Sequence, residues 1–205
     1  MVVMHDRIVV DVEIAQAVED LRHGWEDTHE MGVAVCCIWE YQTRRMRIFG
    51  PRNVEEIKKR ILAADEVIGF NTMNFDLPVI WGYPKSEWID GDLTVAQVKA
   101  SLYGKQNDLL RRLWLAQDLD PDNFKARSHG GYSLDRVAEA TLGVQKIGHG
   151  ALAPKQYQSG MIQEVANYCA DDVALTRDLA DFAEEKGYLV TKRGKVLLAP
   201  WKSPV

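Results

Sequence analysis

The segment "RIVVDVE", residues 7–13, constrains the fold of this chain more than any other stretch. Its β-branched run predicts a buried strand, yet it ends in Asp11 and Glu13. Side chains two apart on a strand share a face. The fold must therefore bring two like charges to one side of an otherwise apolar element. At a strand end that emerges into a loop, such a pair is simply solvated. Beside a covered sheet, a divalent cation turns the repulsion into coordination, since Mg2+ favours one or two carboxylates with water and phosphate oxygens.

The segments that follow set the partners of this strand. "MGVAVCCIWE" (31–40) and "TRRMRIFG" (43–50) read as two strands joined tightly through Tyr41 and Gln42, a hairpin. "NVEEIKKRILAAD" (53–65) has helical periodicity, with Asn53 in a capping position and Glu56 three residues later. "EVIGF" (66–70) is a short apolar strand, and Pro78 in "NTMNFDLPVIWGY" suits the first turn of a helix. Further on, "TVAQVKASL", "DLLRRLWLAQDL" and "SLDRVAEATLG" read as helices, the last stopped by Gly143. "DPDNFKARSHGG" reads as an exposed basic loop and "KIGHGALAPKQYQSG" as a Gly/Pro loop. A long helical pattern covers 161–186, and "YLVTKRGKVLLAP" predicts a hairpin turning at Arg193-Gly194. No internal repeat or linker divides the 205 residues, which suffice for one well-buried core. The expectation is a single α/β domain over 1–205 with a mixed sheet.

Charge and cysteine usage narrow the function classes. The net charge is −5, which argues against a broad nucleic-acid-binding surface held by counterion release. Residues 101–160, however, carry eight Lys/Arg against six Asp/Glu. An acidic protein can also act on a polyanion where metal ions neutralise the contact. No apolar stretch approaches a membrane span, and the N-terminal "MVVMH" is too short for a signal peptide. Cys36, Cys37 and Cys169 have no zinc-site spacing, and the adjacent pair points to opposite faces of a strand. A reduced, cytoplasmic setting follows as the simplest expectation.

Two further groups of polar residues stand where apolar ones are expected. Asp76 follows the fourth strand in "FNTMNFDLP", either as a helix N-cap or as a ligand, and Asn71 leaves the strand end as a turn residue. In "YCADDVALTRD" Tyr168 and Asp172 are four apart, hence on one helix face, with Asp171 next door.

Together these groups resemble the DEDD superfamily of 3′–5′ exonucleases. Asp11-Val12-Glu13 matches its Asp-x-Glu motif, and Asn71 to Phe75-Asp76 matches its Asn-x3-Phe-Asp motif. The third motif exists in a histidine and a tyrosine form. Asn167 stands where the first requires His, and Tyr168 with Asp172 fits the second. The likeness extends in order over roughly residues 7–190, through "GWEDTHEMGVAVCCIWEY", "DEVIGFNTMNFDLPVI" and "YSLDRVAEATLGVQK". It is nearest to small exonuclease domains found alone or beside helicases and related to polymerase proofreading domains. It departs at 84–107, which reads as inserted or diverged. The implied fold is ribonuclease H-like: about five mixed strands in the order 3-2-1-4-5 flanked by helices, with a C-terminal β-hairpin.

The resemblance also implies a mechanism. Two divalent cations, Mg2+ or Mn2+, about 3.5–4 Å apart would clamp the scissile phosphate. Asp11 would bridge both, Glu13 and Asp172 would complete the first, and Asp76 would hold the second. Tyr168 would orient the attacking water, since a phenol of reference pKa about 10 is a poor base at neutral pH. The Tyr-x3-Asp spacing favours Asp172 over Asp171. Ile14, Ala15 and Gln16 would touch the terminal nucleotide, with Asn71, Phe75 and Lys146 as further substrate contacts. Phe75, Trp81 and Tyr132 are aromatics of either stacking or core type. Lys125, Arg127, His129, Lys146 and His149 flank loops able to approach phosphates. The expected substrate is the 3′ end of single-stranded DNA, with short RNA as the other candidate. A helicase or polymerase is a partner the resemblance allows. The competing readings are an inactive ribonuclease H-like binding module and a restriction-type nuclease using Glu56-Ile57-Lys58.

Overall fold

The computed structural model describes residues 5–83, 100–102, 104–121, 127–144 and 152–201. Five strands form one sheet: β1 (Arg7–Ile14), β2 (Val33–Glu40), β3 (Arg45–Phe49), β4 (Glu66–Gly69) and β5 (Gln106–Asp108). Their order is β3-β2-β1-β4-β5. β1 pairs antiparallel with β2 and β2 with β3, whereas β1–β4 and β4–β5 are parallel. The architecture is thus α/β with a mixed sheet in the expected order, and β1 lies at its centre.

Alternation along β1 sorts the residues into two cores. Ile8, Val10, Val12 and Ile14 face the cluster that contains Ile57 and Ile61 of α1 (Val54–Ala63) and Leu77 and Ile80 of α2 (Asp76–Trp81). Val9 faces the opposite cluster, with Val165, Cys169 and Val173 of α6 (Ile162–Lys186). Cys36 and Cys37 divide between the two clusters as their adjacency demands. Ile57 and Ile61 are fully buried, each contributing about 1.5–3 kcal/mol. Between Leu109–Leu115 (α3), Leu134–Leu142 (α4) and Ala153–Gln158 (α5), the described helices cover both sheet faces. Strands β6 (Tyr188–Thr191) and β7 (Gly194–Leu197) form a separate hairpin. Its turn is Lys192-Arg193, one residue earlier than the expected Arg193-Gly194.

Two further expectations need correction, and the fifth strand lies where none was placed. Residues 153–158, expected within a Gly/Pro loop, form α5, because Pro154 stands in its first turn, where a missing N–H costs nothing. Asn53 makes no side-chain cap on α1, which is instead entered through a short 3-10 turn at Pro51–Asn53. β5 falls at "QND", a polar triplet. Asn107 donates to Glu66 at 2.6 Å and accepts from Arg112 at 2.8 Å, while Arg7 donates to Glu66 at 2.7 Å. This buried polar network, not apolar alternation, holds that edge. Most of the segment read as inserted or diverged, together with Lys125, Lys146 and His149, lies outside the described residues. No described helix is long and apolar enough to cross a membrane.

Candidate metal centre

Asp11 and Glu13 project from the odd-numbered face of β1, the side covered by α6. On α6, Asp172 turns inward with 6% exposure, while its neighbour Asp171 is exposed. Ligand atoms of Asp11, Glu13 and Asp172 all lie within 4.8 Å of one another. Tyr168, half-buried, stands one helical turn before Asp172. Asn167 is exposed and accepts from Gln163 Nε2 at 2.8 Å. The close approach of helix to strand depends on a small side chain. Cys169 Sγ lies 3.4 Å from the Asp11 carbonyl oxygen and 3.6 Å from its carboxylate, and Cys37 is the cross-strand partner of Asp11. Burial pushes the Cys169 thiol well up, so it acts as a neutral donor to Asp11.

The fourth acid, Asp76, is 2% exposed and does not belong to the 4.8 Å group. Phe75 occupies the cap position of α2, so Asp76 is not its N-cap. Its carboxylate accepts from the Val12 N–H at 2.9 Å. Parallel pairing of β1 with β4 ends at Val9, and Asp76 serves a donor beyond that point. Burial, and next the neighbouring Asp108, push the Asp76 carboxyl up to about 8. The backbone N–H groups of Asp76 and Val12 oppose the rise, and Asp172 adds to it. A folded value near 8 against 3.8 means that the folded protein holds a proton the unfolded chain has released. This stabilisation is complete below about pH 4 and is lost as pH rises through about 8. In chelator, the thermal midpoint is therefore expected to fall from about pH 6 to about pH 9, and to fall less in Asp76→Asn. Equal slopes in a melting series would contradict the assignment.

Asp108 was not singled out from sequence, where "DLL" reads only as a helix start. It ends β5, is 3% exposed, and caps α3 by accepting from Leu110 N (3.1 Å) and Arg111 N (3.2 Å). The same carboxylate accepts from Asn71 N (3.0 Å) and Met73 N (3.1 Å). It thereby clamps the loop that leads from β4 to Asp76. In that loop Asn71 has φ 73, a left-handed conformation that Asn tolerates. Thr72 is fully buried against Gly69, where a Cβ would lie 1.7 Å from Thr72 Oγ1. Only glycine permits that approach.

The expected substrate contacts fall in varied places. A register shift follows Glu13; Ile14 is buried, Ala15 half-buried and Gln16 exposed. Gln158 of α5 donates to the Ala15 carbonyl at 3.1 Å. Phe75 is half-buried, its ring 6.2 Å from that of Trp25, an exposed tryptophan the sequence reading passed over. Trp81 and Tyr132 are core. Asn71 Nδ2 lies 3.5 Å from His129 Nε2, and burial lowers the His129 pKa. Glu56 and Lys58 lie on α1, paired with Arg47 (2.6 Å) and Glu55 (2.8 Å), so the restriction-type reading lacks its strand. No protein-family model matches the chain, and no curated protein matches it.

Proposed function

We propose that the chain is a ribonuclease H-like, metal-dependent 3′–5′ exonuclease of the tyrosine form of the DEDD superfamily. Its substrate is single-stranded nucleic acid, DNA in preference to RNA, from which it releases nucleoside monophosphates. The observation that carries this reading is the meeting of Asp11 and Glu13 from β1 with Asp172 from α6 within 4.8 Å, one turn from Tyr168.

The donor set fits hard cations. Three carboxylates, two of them buried, offer oxygen ligands, which suit Mg2+ or Mn2+ and not softer metals. Asp11, Glu13 and Asp172 are the residues to hold one ion, and Asp76, electrostatically coupled to Asp172, is the acid for a second. Bound there, two divalent ions stabilise charge on the scissile phosphate and acidify the attacking water. The chain supplies the rest. The β1–α6 contact fixes the acids before substrate arrives, and Tyr168 hydrogen-bonds and orients the water. Trp25 and Phe75 offer an aromatic edge on which an unpaired base can stack, a sequence-tolerant contact.

Tyr168→Phe is expected to lower kcat about 10- to 100-fold, the scale of lost positioning, without abolishing turnover. A loss as deep as that of the acid variants, in steady-state kinetics, would remove the positioning role. The proposal itself is tested with linear DNA and RNA oligonucleotides in Mg2+, Mn2+ or EDTA. Mononucleotides are expected with either ion and none with EDTA, DNA being consumed faster. Tight binding without release would defeat it.

A further inference from the structure

Apart from the acid cluster, the chain carries a feature of opposite sign. Gly130, Gly131, Tyr132, Arg136, Lys192 and Arg193 line a cleft of about 200 Å³. Three cations and no acid border it, in a chain of net charge −5. Arg136 comes from α4, while Lys192 and Arg193 are the turn of the β6–β7 hairpin. All three are exposed, and none forms a salt bridge among the described residues. Surface cations that are not spent on neighbouring carboxylates remain available to an external anion.

The other wall is shaped for close approach. His129, Gly130 and Gly131 all have positive φ, 54, 65 and 90, a run that two glycines make tolerable. A Cβ at Gly131 would sit 3.9 Å from Arg136 Nη1, in van der Waals contact with that guanidinium. The Arg193 guanidinium stands 5.6 Å from the Tyr132 ring centroid. The segment before the cleft reaches the loop that leads to Asp76. His129, which precedes Gly130 in the chain, lies 3.5 Å from Asn71 through Nε2, and the Asn71 N–H is held by Asp108.

We infer that this cleft binds the phosphodiester backbone of the single strand whose 3′ end lies at the acid cluster, with Arg136, Lys192 and Arg193 as its phosphate contacts. This rests on the nuclease reading for the identity of the strand. An acidic site repels a polyanion, so a strand that enters it needs compensating cations elsewhere along its path, and these three are grouped on one cleft. The geometry asks for charge and not for base identity, so the contact is independent of sequence.

The test is binding of a fluorescent oligothymidylate of about 15 nucleotides to the full chain in EDTA, over a range of salt. Wild type is expected to bind with an affinity that falls as salt rises. The triple variant Arg136→Gln/Lys192→Gln/Arg193→Gln should reduce the log–log slope by about 2, or about 0.7 per cation removed. Between about 50 and 200 mM salt, its affinity then falls about 20-fold less than that of wild type. Each single variant should give about one third of the slope change, or about a 2.5-fold difference over the same salt range, and circular dichroism should show all of them folded. A triple variant with wild-type affinity and slope overturns the inference, as does absence of wild-type binding. Polyglutamate that competes as well as the oligonucleotide overturns it too, by assigning the cleft to acidic protein partners. Cleavage is measured in parallel with Mg2+. Cleavage with an unchanged slope removes the cleft and leaves the nuclease reading. A changed slope without cleavage removes the nuclease reading and leaves a nucleic-acid-binding cleft.

Discussion

Replacing Asp172 by Asn is expected to reduce hydrolysis by at least about 10³-fold while raising the melting temperature of the metal-free protein. The two effects have one origin. Three carboxylates meet within 4.8 Å, two of them in a buried setting. At that separation each like-charged pair costs about 3–4 kcal/mol at the effective dielectric of a protein surface. Asn keeps the shape and removes one charge, so the folded apo protein gains stability. On the proposed function the same change also takes away a metal ligand, and several kcal/mol of transition-state charge stabilisation would go with it. Asp11→Asn should behave alike, because Asp11 belongs to the same group. A melting series in chelator and in Mn2+ separates the contributions: Mn2+ should raise the wild-type midpoint markedly and that of either variant little. A variant that is both less stable without metal and still active would mean that these acids serve only to hold the fold.

The second large effect is on stability. Asp108→Ala is expected to destabilise the protein by about 3–5 kcal/mol, a drop of about 10 °C or more in melting temperature for a chain of this size. One buried carboxylate accepts four backbone N–H groups, two from the β4–α2 loop and two from the first turn of α3. Alanine leaves these donors without their acceptor and removes the helix cap as well. Asp108→Asn should cost less. It retains one acceptor oxygen, and it removes a charge that burial already disfavours and that crowds Asp76. Comparison of the three proteins by denaturant unfolding checks the order. Near-wild-type stability of Asp108→Ala would show that the clamp is dispensable.

Legibility from sequence followed the local pattern of each element. The β1 acids and the Tyr168–Asp172 pair were visible because their spacing, two on a strand and four on a helix, states which side chains share a face. The two-sided core was visible in the same way, through Cys36 and Cys37. β5 was not, because Gln106, Asn107 and Asp108 carry no apolar alternation and are buried through polar partners far away in the chain. Asp108 was hidden for the same reason, since its role depends on a loop 35 to 37 residues earlier. Cys169 read as a small apolar neighbour. Its contact with Asp11 spans 158 residues and exists only once α6 is laid across β1. The N-cap reading of Asp76 fell only with tertiary structure, since Phe75 takes the cap position and the Asp76 carboxylate accepts from the Val12 N–H.

On the proposed function this acid cluster removes nucleotides one at a time from a 3′ end. The most direct measurement follows one single strand labelled differently on its first and last nucleotides, in Mg2+ or Mn2+. The expected result is immediate release of the 3′ label as a mononucleotide, a ladder of shortening fragments that keep the 5′ label, and neither in EDTA or with Asp11→Asn. Release of the 5′ label first, internal cuts that leave both labels on long fragments, or shortening undiminished by chelation would contradict it.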